Sequence, residues 1–227
     1  MWNLAFKDLE QNWKSILIFF TSSLAFPITF AILQDRGSNV EYLGVVFGYI
    51  VLGGPILFSY LLIGQEKVKG TFKFLRVLPI SGTHIILTKS LTVICLCLIN
   101  LDFALILEPL MLRLFGLNFL PSSSTLLWLN LTAIFFAAIS ILITTYFNHK
   151  TAAQISYSLI AGLVWAVAFM EKHLLRADAL KELAIEIASQ PTLSFLSTAV
   201  ICSFAAGLIL LASYTFNRID WVDLEEN

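Results

Sequence analysis

Charge is scarce in this chain: 13% of its 227 residues are Asp, Glu, Lys or Arg, against 58% that are hydrophobic. That is too little polar surface to cover a water-soluble globule of this length, and the mean hydropathy of +0.85 agrees. The composition is that of an integral membrane protein. Cysteine is equally sparse. Cys95, Cys97 and Cys202 all fall inside apolar runs, where they are expected to pack as small hydrophobes rather than form disulfides or metal sites. The histidines, His84, His149 and His173, stand at the edges of apolar runs with no Cys or carboxylate at ligand spacing, which argues against a metal centre. No Ser/His/Asp, His/Glu/His or paired-Asp pattern points to an enzyme, and a net charge of −1 with no basic tail gives nothing for nucleic acid to bind. No secretory cleavage pattern is evident.

What the chain does have is long apolar runs. A helix crosses roughly 30 Å of hydrocarbon in about 20 residues. Six runs approach that length: Ser15 to Leu33, Leu43 to Gly64, Ser90 to Leu112, Thr125 to Phe147, Ala152 to Met170 and Phe195 to Phe216. They lack the alternation of a barrel strand, and lipid-facing backbone must satisfy its own hydrogen bonds, so they read as helices. The expected fold is a single all-α transmembrane domain of six spans over 1–227.

Lys and Arg set the orientation. Lys7, Lys14, Lys67, Lys69, Lys73, Arg76, Lys89, Lys150 and Arg218 fall on one side, and Arg36, Arg113, Lys172, Arg176 and Lys181 on the other. The positive-inside rule then places both termini and the second loop in the cytoplasm. Before the first run, Trp2, Phe6, Leu9 and Trp13 recur at helical spacing, with Asn3, Lys7, Glu10 and Lys14 one step round. This pattern predicts an amphipathic helix over 1–14, lying flat in the interface before the chain turns into the bilayer at Lys14-Ser15.

The second loop, residues 65–89, is the polar island of the chain. Gly70 is expected to break the helix leaving the second run, and Thr71 to cap a short helix whose Phe72, Leu75 and Leu78 are apolar neighbours. Lys69, Lys73 and Arg76 lie on another face. Pro79 ends that helix, and Ser81 or Thr83 can cap the helix that becomes the third span.

At these residues the chain resembles the permease subunits of the type-2 ATP-binding-cassette (ABC) transporter family. The residues that carry the resemblance are Glu66, Gly70-Thr71, Leu75, Leu78-Pro79-Ile80-Ser81 and Lys89, set between the second and third spans of a six-span layout with a leading interfacial helix. The family often has an acidic residue just after Gly-Thr, where this chain has Phe72-Lys73. The resemblance implies that the loop is a coupling helix seated on a separate ATPase subunit, with Glu66, Gly70, Thr71, Phe72, Leu75, Arg76, Leu78 and Pro79 forming the contact. It also implies a partner permease, either a second copy or a sibling, and a bacterial-type plasma membrane. This chain has no Gly-x-x-x-x-Gly-Lys-Ser/Thr loop, so ATP and Mg would sit on the partner and no cofactor on this chain.

Two carboxylates, Asp102 and Glu108, stand well inside the third run. A charge at the bilayer centre costs about 2.5–3.5 kcal/mol on insertion scales, so each is expected to face protein or a watery cavity. Asp102 is read either as lining the substrate path or as hydrogen-bonded to a group such as Asn130 or Ser140, and Glu108-Pro109 as lying near the outer surface. The Gly53-Gly54-Pro55 step is expected to kink or loosen the second span and joins the substrate-path candidates, while Pro27 can act likewise in the first span. Residues 172–190 read as an outer amphipathic helix ended by Pro191. Mostly apolar walls favour a hydrophobic or amphiphilic cargo: a peptide, lipid or drug. The alternatives are an ion-coupled carrier using Asp102 or Glu108, and a membrane scaffold that transports nothing.

Overall fold

The structure is a computed structural model, and it describes residues 2–34, 51, 53–71, 81–114, 123–148, 150–159, 162 and 191–218. These residues are almost wholly helical, with no strand among them. In chain order the elements are α1 (Trp2–Gln34), α2 (Gly54–Ser59), a π-helical turn (Tyr60–Gly64), α3 (Gln65–Val68), α4 (Gly82–Leu114), α5 (Ser123–Tyr146) and α6 (Pro191–Arg218). Residues 150–159 are helical as well.

Three of these helices are long and apolar enough to cross a membrane: Gly82–Ala104 of α4, Leu127–Tyr146 of α5 and Phe195–Arg218 of α6. They match the third, fourth and sixth expected spans, so the described residues support three spans rather than six. The shortfall has local reasons. The second and fifth runs fall partly on residues outside the description, and the first, which holds no charged residue, lies in α1, whose side chains are described only as far as Ser23. The coupling segment from Phe72 to Ile80 and the outer helix at 172–190 also lie outside the described residues.

The turn expected at Lys14-Ser15 is not there. α1 continues through it, and through Pro27, as one helix of 33 residues, about 50 Å long. No Gly or Pro stands near Lys14 to interrupt the hydrogen-bond ladder. Hydroxyls along the helices bond back to carbonyls one turn earlier, Ser22 to Phe19, Thr92 to Thr88 and Thr132 to Trp128, so these three are satisfied within their own helices.

α4 packs against α1, α2, α5 and α6. The core gathers Phe19, Phe58, Leu62, Ile63, Ile85, Val93, Ile141 and Phe216 from these helices. Phe19 meets Phe58 edge to face at 5.3 Å between centroids. Ala133, Ala137 and Ala138 are buried along α5, and such small residues let membrane helices approach closely. α6 is the outlying helix: 11% of its span is buried, against 56% for α4.

The Gly53-Gly54-Pro55 step changes helix type, as expected of a loosened span. Val51 and Gly53 are π-helical and α2 begins at Gly54, with Pro55 in its first turn, where a missing N–H costs nothing. After Ser59 the ladder widens again, and the Gln65 N–H reaches back five residues to the Tyr60 carbonyl.

Candidate functional site

The most unusual chemistry in the molecule is a buried cluster of charges where α1, α3 and α4 meet. Lys89, in the second turn of α4, has no exposed side-chain surface. Its ammonium donates to Asp8 Oδ2 at 2.8 Å and to the Leu62 carbonyl at 2.9 Å. Glu66 Oε2 lies 2.9 Å from the same nitrogen. The Glu66 contact lacks hydrogen-bond alignment, so charge attraction holds this carboxylate. Asp8 and Glu66 are themselves almost fully covered, with 2% and 7% of their side chains exposed. Two buried carboxylates on one ammonium leave one negative charge over, and Lys7, 3.9 Å from Glu66 Oε1, brings the group to neutrality. Lys7 is 40% exposed, so its share is weak and screened. Burial pushes the Asp8 carboxyl above its ordinary range, partly offset by the charge and hydrogen bond of Lys89.

Glu66 and Lys89 both belong to the sequence pattern that marks the second loop, and the structure brings them together although they are far apart in the chain. Asp8 was not singled out in the sequence. The apolar repeat of Trp2, Phe6, Leu9 and Trp13 marks the face of α1 read as interfacial; Phe6 and Trp13 are exposed there, while Leu9 packs on the core at the edge of a buried side further round the helix. On that buried side Leu4, Leu9 and Ile16 pack on the core beside Asp8 and Asn12. A carboxylate one turn before a buried Asn, between apolar residues at helical spacing, is the signal that would have found it.

The residue after Glu66 makes a second anchor. The Lys67 amine donates to the carbonyls of Thr145 at 2.5 Å and Phe147 at 2.8 Å, the open end of α5. Burial pushes Lys67 down to about 7. The folded protein then gives up this proton near neutrality, while an unfolded lysine keeps it to about 10.4. In that window the unfolded state binds more protons, so the contribution of Lys67 to stability rises with pH. Thermal unfolding in detergent at neutral and alkaline pH is expected to show that rise in the wild type and a flatter profile in Lys67→Met.

Two consecutive side chains of α3 thus fasten the entry to the second loop to α1, α4 and α5. Gly70 follows at φ +66°, a conformation glycine adopts without strain, and it turns the chain after α3. The exit from the loop is fastened too. Ser81 caps α4, its hydroxyl accepting from the His84 N–H at 3.3 Å, and the Asn217 amide donates to the Thr83 hydroxyl at 2.9 Å. Gly82 sits so close to α6 that a Cβ would collide with Asn217 Oδ1 and lie 2.9 Å from Phe216 Cδ1. Asn217 can swing away, but Phe216 is fully buried. Gly82→Ala is therefore expected to cost about 1–3 kcal/mol of stability. Urea or thermal unfolding in detergent measures it.

The substrate-path candidates fall in two places. Gly53 lines a cavity of about 790 Å³ between α1, α2 and residues 150–159, whereas Gly54 and Pro55 are buried beside it. Asp102 is exposed and accepts a hydrogen bond from the Asn130 amide of α5 at 3.1 Å, one of the two partners expected of it. Glu108 is in the helical part of α4, and its side chain is outside the description. Thr71 follows Gly70 at the edge of the described segment, and Phe72, Leu75, Arg76, Leu78 and Pro79 lie beyond it. Cys97 packs in the core, while Cys95 and Cys202 are exposed on α4 and α6. No group of His, Cys, Asp and Glu among the described residues is placed to hold a metal. No family model matches this chain, and no curated protein matches it.

Proposed function

We propose that this chain is the membrane subunit of an ATP-driven ABC exporter, with six spans, cytoplasmic termini and no catalytic residues of its own. It pairs with a second permease and with separate ATPase subunits in a bacterial-type plasma membrane, and it carries a hydrophobic or amphiphilic cargo. The sequence resemblance from Glu66 to Lys89 suggests this reading, and one structural observation lends it mechanical sense: both ends of the second loop are fixed to the helix bundle.

A loop that receives a push must not yield at its roots. Glu66 ties the entry to Lys89 of α4 and, through it, to Asp8 of α1, and Lys67 ties it to the end of α5. Gly82 and Thr83 seat the exit against α6. Closure of the ATPase subunits against Phe72, Leu75 and Leu78 would then tilt several helices together, because the buried ion pairs cannot slip without stranding a charge. Reconstitution with a phosphate-loop ATPase encoded beside this chain tests the reading. Stimulated ATP hydrolysis is expected with the wild type, and loss of stimulation with Leu75→Asp/Leu78→Asp. Transport driven by an ion gradient alone, with no ATPase present, would overturn it.

A further inference from the structure

The cavity between α1, α2 and residues 150–159 has two unlike ends. α1 and α2 run antiparallel, a register fixed by Lys7 beside Glu66 and Phe19 against Phe58. Ser15 and Tyr60 therefore share one end of the cavity, and Ser22 and Gly53 share the other, about 10 Å away. Lys67, bonded to Thr145 and Phe147, brings the end of α5 to the Tyr60 side, and Lys150 follows it there. Lys150 is exposed, and no ion pair joins it to a described residue. Among the described residues no Asp or Glu lines the cavity. Between the ends the wall is mainly apolar, with Ile18, Phe19, Ile56 and Leu57.

We propose that this cavity binds a single-chain anionic amphiphile, its tail lying along Ile56 and Leu57 and its headgroup beside Lys150. The volume lies within the roughly 300–1,000 Å³ typical of small-molecule pockets. A volume of about 790 Å³ has room for one long acyl chain with its headgroup rather than for two. Among the described residues Lys150 is the charged side chain that lines the cavity and no carboxylate does, which favours an anionic headgroup over a neutral or cationic one. The binding does not depend on an ATPase. Its meaning as cargo capture rests on the permease reading.

The test uses the purified full chain in a neutral detergent, without any ATPase, titrated with radiolabelled oleate at mildly alkaline pH. Monoolein and dioleoylphosphatidylglycerol serve as the neutral and two-chain comparisons. Saturable oleate binding is expected, tighter than that of monoolein. Lys150→Glu should weaken oleate about tenfold or more and leave monoolein unchanged, whereas Ala153→Phe, which fills the cavity from the helix at 150–159, should weaken both. Equal binding of oleate and monoolein, or indifference to Lys150→Glu, would overturn the headgroup assignment. Binding that survives Ala153→Phe would place the ligand on the outer surface instead, and preference for phosphatidylglycerol over oleate would overturn the single-chain assignment. Failure of an ATPase to associate would sink the permease reading and leave these binding results standing.

Discussion

Replacing Lys89 with Met is expected to destabilise the protein by about 3–5 kcal/mol, because it leaves the Asp8 and Glu66 carboxylates buried with no cation between them. The Leu62 carbonyl loses its side-chain donor in the same step. Thermal unfolding in detergent reads the effect directly. Removing the whole charge group tells the two halves of the argument apart. Asp8→Leu/Glu66→Met/Lys89→Met should recover most of the loss, since a buried ion group replaced entirely by apolar side chains is often neutral or stabilising. A loss under about 1 kcal/mol for Lys89→Met alone would mean that water reaches the site and that the anchor is weak. If the triple variant were stable and the partner ATPase lost its stimulation, the charges would serve coupling rather than folding.

Phe58→Ala should cost a similar amount, about 3–5 kcal/mol, for a different reason. Phe58 is fully buried, its ring standing edge to face on Phe19 and 6.3 Å from Phe20. In a lipid setting little hydrophobic force draws helices together, so close packing of this kind carries much of their association. The surrounding aromatic rings are too stiff to collapse into the space, and the vacated volume persists as a cavity. Phe195→Ala, on the exposed side of α6, is the matched control and should leave the unfolding temperature nearly unchanged.

The all-helical membrane character was legible from composition and from the length of the apolar runs, and α4, α5 and α6 stand where three of those runs predicted them. Gly70 and Ser81 were legible as well, because a left-handed turn and a helix cap each demand particular residue types at one position. The path of α1 was not. An amphipathic repeat followed by an apolar run reads as two segments, yet nothing in the residues around Lys14 interrupts the ladder, and the helix continues. The face of α1 that packs on the bundle was not legible either, although the face read as interfacial is exposed at Phe6 and Trp13. Phe6 and Trp13 suit a lipid boundary as well as a core, and hydropathy cannot tell these two surroundings apart. Asp8 was hidden because its partner Lys89 lies 81 residues away in the chain, and a pairing at that distance leaves no trace in a single sequence. The Asp102 to Asn130 bond was reachable, since two polar groups facing each other from neighbouring apolar helices have few other partners.

In the proposed coupling role the second loop, rooted on Glu66, Lys67, Gly82 and Thr83, carries force from an ATPase into the bundle. Co-purification in mild detergent tests it most directly, with the candidate ATPase captured by the wild type and by Leu75→Asp/Leu78→Asp, and with unfolding curves confirming that both are folded. The wild type is expected to retain the ATPase and the double variant to lose it. An ATPase that does not bind the wild type, or that binds the folded double variant equally well, would contradict it.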